Sequence, residues 1–300
     1  MTRVGGPVVS RHLLIAAVAL AATVASGPVQ SAAAAARPGK GPAAVVRGAI
    51  ARTGVQSSER IVLDEVVHVP GQGATRLSVS GVQSIGTGHA EALMELRLGN
   101  VGGIEERLDS TDLFLRYPAS SGIHLPNGAT WLDIKLSALL SQFGVSDAAS
   151  LFSGASGDPT QLLSLLTASS PSGVRALGPA TVHGVKVDRY RATVSLATLA
   201  SHEGAGYQQL LSYLRAYLTS PTVTETIGVD RAGYARSVAL TLPERIPVAG
   251  REVRVTTSLQ LLLSDFGVVV TVTPPPARQI DVLSSAALKS FAAALGLHPR

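Results

Sequence analysis

The chain contains no cysteine, one tryptophan and five phenylalanines, and only 15% of its 300 residues are charged. Without cysteine there is no disulfide framework, no thiolate metal site and no thiol to carry the lipid of a bacterial lipoprotein. The fold must be held by burial alone, and a chain of this length can bury a sizeable core. So few aromatic rings leave no stacking platform for single-stranded nucleic acid. Catalytic signatures are missing as well: there is no G-x-S-x-G elbow, no H-E-x-x-H and no G-x-x-x-x-G-K-[ST] phosphate loop. The seven histidines are scattered singly, so none has metal-ligand spacing. Gly71-Gln72-Gly73 and Gly86-Thr87-Gly88 each begin like a dinucleotide fingerprint but lack the third glycine, and both suit turns between strands. Glu105-Glu106 is the one adjacent carboxylate pair, and neighbours on a strand point to opposite faces, which argues against an acid/base dyad. The expectation is a non-enzyme with no catalytic residues, no cofactor and no metal.

What the chain does have begins at its N-terminus. Arg3 and Arg11 precede an uncharged run from Leu13 to Ala25, and a small-residue stretch, Ser31 to Ala36, follows with several A-x-A sites. That order is the layout of a secretory signal peptide over residues 1–36. The run is short for a membrane-spanning helix of ~20 residues; an uncleaved anchor is the competing reading. The expected location is therefore secreted or extracytoplasmic, in the cell envelope.

The net charge of +5 is unevenly spread. Residues 61–300 hold 18 basic and 19 acidic side chains, so the excess sits in the leader and in the segment 37–59 with the adjoining Arg60. That segment, with Lys40, Arg47 and Arg52, reads as a basic flexible connector containing a short helix near 44–52, able to meet anionic headgroups transiently. The near-neutral remainder gives no footprint for nucleic acid.

From Arg60 onward the pattern has period two. Ala90, Ala92, Met94, Leu96 and Leu98 alternate with Glu91, Glu95 and Arg97; Val253, Val255, Leu259, Leu261 and Leu263 alternate with Arg254, Thr256, Ser258 and Gln260. Such strands have one apolar and one wetter face, the habit of antiparallel sheets. Further strands are expected at 61–69, 75–82, 104–108, 112–117, 131–135, 185–194, 223–229, 234–242 and 268–273. The turn Asp230-Arg231-Ala232-Gly233 gives a clear hairpin signal. Helices are expected at 136–143, 160–167, 207–218 and 284–297. The class is α+β: one large antiparallel sheet with a few helices on one side.

Five blocks together resemble the actinobacterial LolA-like lipoproteins of the LppX/LprG group. They are "LFLRYPASSGIHLPNGATWLDIKL" (113–136), "DPTQLLSLL" (158–166), "LGPATVHGVKVDRYRATVSLATL" (177–199), "VDRAGYARSVALTL" (229–242) and "SDFGVVVTVTPPP" (264–276). Each is a strand-turn-strand phrase of low specificity alone, but the five occur in the family's order across most of 60–283. The resemblance implies a carrier domain at 60–283, a curved half-barrel of antiparallel strands wrapped around helices, with an apolar cavity; the Ala-rich C-terminus itself reads as a helical tail at 284–300. It also implies exported carriers of lipids, lipoglycans or acylated proteins. Two departures stand out: alanines replace the lipobox cysteine, which favours a soluble form, and Thr226-Ile227-Gly228 stands where relatives carry an aromatic strand.

The alternation nominates Met94, Leu96, Leu98, Leu113, Leu115, Ile227, Val238, Leu240, Leu259 and Leu261 as one face. In the resembling family that face lines the cavity; the same residues read equally well as plain core. The leading function is a non-catalytic carrier or sensor of a lipid or acylated ligand. The alternatives are an envelope protein–protein interaction module on the same scaffold, without a ligand, and a hydrolase with a dispersed site, for which no motif speaks.

Overall fold

The computed structural model describes residues 41–71, 73–86, 89–99, 102–138, 173–197, 217–248 and 251–284. Among them are one α-helix described end to end, α1 (Pro42–Gly54), helical residues at 136–138, 196–197 and 217, and twelve strands: β1 (Ser58–Val69), β2 (Gly73–Gly86), β3 (His89–Leu98), β4 (Gly103–Asp109), β5 (Asp112–Arg116), β6 (Trp131–Lys135), β7 (Val174–Val182), β8 (Val185–Ser195), β9 (Thr222–Asp230), β10 (Ala235–Val248), β11 (Arg251–Ser264) and β12 (Ile280–Val282). They form one sheet in the order β12-β6-β5-β4-β3-β2-β1-β11-β10-β9-β8-β7. Apart from the parallel pairing of β12 with β6, the ladders seen among the described residues are antiparallel. The expected class, a large antiparallel sheet with few helices, is what is found. The leader and the expected helices at 160–167 and 284–297 lie outside the described residues, apart from Ser284; of 136–143 and 207–218 only Leu136–Ala138 and Tyr217–Leu218 fall inside them.

The chain divides into two compact units, one holding the described residues of Val79–Asp158 and Val268–Arg300, the other those of Pro28–Ser78 and Pro159–Gly267. In the first, β3 to β6 follow one another as neighbours, and Glu91–Arg97 pairs with Gly103–Asp109. Gly81 on β2 lets that strand lie close to β3: a Cβ there would collide with the Leu93 carbonyl oxygen and the Met94 side chain. The wetter side of this unit carries a cation–π stack. Arg107 and Arg116 lie 4.5 and 5.2 Å from the Trp131 ring, and Glu105 forms ion pairs with both guanidinium groups.

In the second unit α1 begins with Pro42, whose missing N–H costs nothing in a first turn. Its buried residues Ala43, Val46, Ile50 and Thr53 follow helical spacing. The helix is tied to the β9–β10 turn: Thr53 Oγ1 accepts from the Ala235 N–H at 2.9 Å, and Arg52 donates to the Ala232 carbonyl. That turn closes as the sequence indicates, with the Gly233 N–H on the Asp230 carbonyl and Gly233 at φ 82°.

The structure corrects the sequence reading in three places. Residues 268–273 form no strand; burial still alternates, with Val272 buried and Val269 exposed, but the segment joins no ladder and ends in three prolines that cannot donate. β7 begins at Val174, ahead of the strand that the 177–199 phrase implies, and the short β12 was not expected, since three residues give it no readable period. β10 runs on to Val248 through Pro243 and Pro247; its pairing with β9 ends at Leu240, and beyond it Leu218 bridges Glu244 while the Thr219 N–H donates to the Pro243 carbonyl, an acceptor that a proline still offers. Two substitutions test the packing of the first unit in urea titrations. Gly81→Ala is expected to lower stability by about 1–3 kcal/mol through overpacking. Trp131→Ala should cost about 3–5 kcal/mol, followed by circular dichroism because Trp131 is the only tryptophan.

Candidate functional site

The nominated residues lie on the inward-pointing, apolar side of their strands. In the first unit Met94, Leu96 and Leu98 occupy successive buried positions of β3, while Leu113 and Leu115 do the same on β5. β4 joins them across the sheet. Met94 stands opposite Glu106, which stands opposite Leu115; Ala92 stands opposite Leu108, which stands opposite Leu113. Leu96 stands opposite Ile104; cross-strand neighbours on one face pack side by side, so these residues belong to one largely apolar patch with Glu106 in its midst.

The second unit repeats this in two rows. Ile227, Val238, Leu261 and Leu63 stand side by side across β9, β10, β11 and β1. The next row runs Ala192, Glu225, Leu240, Leu259 and Glu65. Ile227, Val238, Leu240 and Leu261 are fully buried, whereas Leu259 is half-buried. All five nominated residues of this unit therefore lie in two adjacent rows.

Sequence reasoning missed the acids in these patches. Glu106, 1% exposed, sits between Met94 and Leu115, and its Oε1 has no hydrogen-bond partner among the described residues. Glu225, 0% exposed, has no such partner for either carboxylate oxygen. Burial among apolar side chains disfavours the charged form and pushes each carboxyl up to about 8. Glu65 is raised too, first by burial and then by the charge of Glu244. Glu244 is buried on the same face and accepts a 2.6 Å hydrogen bond from Thr257 Oγ1. The signal was in the phase of the strands: Glu106 is in step with Ile104 and Leu108, and Glu225 with Val223 and Ile227. The pair Glu105-Glu106 does split between faces, Glu105 going to its arginine partners.

The opposite face of the second unit is polar. A depression of about 510 Å³ opens there, bordered by Asp64, Arg76, Arg191, Thr224 and Gln260 among others. Among the described residues, no group of three or more His, Asp or Glu side chains could hold a metal, and no helix is long and apolar enough to cross a membrane.

The buried acids have a consequence for stability. A carboxyl held near 8 in the fold and at its ordinary value in the unfolded chain binds its proton more tightly when folded. Its stabilising contribution is complete below the ordinary carboxyl range and is lost as pH rises towards and through about 8. The melting temperature of the wild type is expected to fall between pH 5 and pH 8.5. Glu225→Gln should lessen that fall, and Glu106→Gln with Glu225→Gln should lessen it further, as read by thermal melts across the range.

No family model and no curated protein matches the chain. Among solved structures it is similar to LprF from Mycobacterium bovis, with 10% identity and a TM-score of 0.44 over 78% of this chain and 96% of that one. It is also similar to the Mycobacterium tuberculosis lipoprotein LppX, with 14% identity and a TM-score of 0.39 over 77% and 97% of the two chains. A LolA superfamily protein from Nitrosomonas europaea aligns over 78% of this chain and 96% of its own, at 10% identity and a TM-score of 0.23.

Proposed function

We propose that this chain is an exported, non-catalytic carrier or sensor that holds a lipid or acylated ligand against the apolar face of its sheet. The observation that carries the reading is the pair of patches just described. Each is broad, built from long aliphatic side chains in register, and interrupted by buried carboxyl groups that the described residues do not satisfy. A core selected for stability alone gains nothing from such interruptions, since an unpaired buried polar group costs about 1–3 kcal/mol. A surface that takes up an amphiphile has a use for them. Acyl chain supplies the affinity, at ~0.8 kcal/mol per buried CH₂, so few polar contacts are needed. The leader-like N-terminus and the block resemblance over residues 60–283 support the same reading and an extracytoplasmic location. The partners are then the lipid or acyl chain itself, a membrane surface met transiently, and any envelope protein that delivers or receives the ligand.

Leu259 offers the cleanest test because it is only half-buried, so its substitution perturbs the core least. Leu259→Trp, which fills space, and Leu259→Arg, which places charge on the face, should leave the circular dichroism spectrum unchanged. Both should lower uptake of a pyrene-labelled phospholipid from vesicles at least tenfold relative to wild type. Uptake unchanged in both folded variants would contradict a ligand on this face.

A further inference from the structure

An apolar face explains where a hydrocarbon chain would lie but not why an acid stands in the middle of it. Glu225 is central in β9, and both of its carboxyl oxygens are buried without a hydrogen-bond partner among the described residues. Its neighbours across the sheet on that face are Ala192 and Leu240, and along its own strand Val223 and Ile227. All four are buried and none has a polar side chain. Beyond Leu240 the same row continues to Leu259, the half-buried member, and then to Glu65. The protein thus holds a hydrogen-bonding group ready in an apolar setting, at a cost that a bound group of matching chemistry would remove.

We propose, building on the carrier reading, that the Glu225 carboxyl group is the polar anchor of the ligand. Its O–H donates to the acyl carbonyl oxygen of an ester, amide or carboxylic acid whose hydrocarbon lies over Leu240 and Leu259. Burial keeps the group in its acid form at neutral pH, so the donor is present when it is needed. A protonated carboxyl has one O–H to give and an oxygen that still accepts. An ester takes the one bond, and a carboxylic acid or amide returns a second. The apolar neighbours favour such neutral acyl groups over an ammonium headgroup, which would require Glu225 to ionise where no cation of the described protein helps it.

The test compares methyl palmitate with octadecane, a chain of similar length with no hydrogen-bond acceptor. Each displaces the neutral fluorescent probe N-phenyl-1-naphthylamine from the full-length protein at pH 6.5. The ratio of ester to alkane affinity should be about five- to tenfold higher in wild type than in Glu225→Leu, the worth of one net hydrogen bond. Glu225→Gln keeps an N–H donor and should retain most of that preference. The infrared stretch of a ¹³C-labelled ester carbonyl should fall in frequency on binding to wild type and not on binding to Glu225→Leu. An equal ratio in wild type and Glu225→Leu overturns the anchor while leaving the carrier reading intact. Tighter binding of hexadecylamine than of the ester makes Glu225 a cation partner and also overturns it. Failure of ester and alkane alike to displace the probe overturns the carrier reading, and the anchor with it.

Discussion

Burying an apolar side of the strands is the constraint on which this protein depends, because no disulfide can share the load; most strands leave the other side to water, while β5 and β6 bury both, with Phe114 and Trp131 on the second. A fully buried Leu, Ile or Met contributes about 1.5–3 kcal/mol relative to exposure. The described strands place such residues at every second position: Met94, Leu96 and Leu98 on β3, Ile104 and Leu108 on β4, Leu261 and Leu263 on β11. Register then matters as much as composition. A slip of one residue would turn Leu96 to water and Arg97 into the core. The other face reinforces the register, since Glu105 reaches Arg116 on the neighbouring strand only in the pairing observed.

Against that background the buried acids are the exception with meaning. Glu106 and Glu225 obey the alternation and break its chemistry, standing where a leucine would stabilise more. Among the described residues neither has an arginine or lysine to neutralise it on its own face, although arginines are plentiful on the wetter side. A pair of charges is therefore not what these positions provide; they provide neutral hydrogen-bonding groups inside an apolar surface. Sites that violate the folding logic of their surroundings are the expected place for function. In each unit the violation falls within the patch of aliphatic residues nominated for ligand contact.

Much of this was legible in the amino-acid order. Period two located β3 and β6 to the residue, the Asp230–Gly233 turn closed as its glycine requires, and nine of the ten nominated residues are buried, Leu259 being half-buried. The failures have physical reasons. Residues 268–273 alternate like a strand, but strand status also needs a partner to accept hydrogen bonds, and pairing is not written in a single segment. β7 is implied only by the resembling phrase at 177–199, because Gly178 and Pro179 break its apolar run, and β12 is too short to show a period. Alternation marks apolar residues, and a glutamate in phase with them gives no apolar signal of its own. Val223-Thr224-Glu225-Thr226-Ile227 carried the information all along.

If the apolar face of these strands carries an amphiphile, the full chain expressed in an actinobacterial host should hold one when purified, and native mass spectrometry reads it. The protein is weighed intact and then extracted with organic solvent. A carrier shows an added mass that extracts as a defined acylated lipid. A folded protein that flies at its bare polypeptide mass, with nothing in the extract, is no carrier.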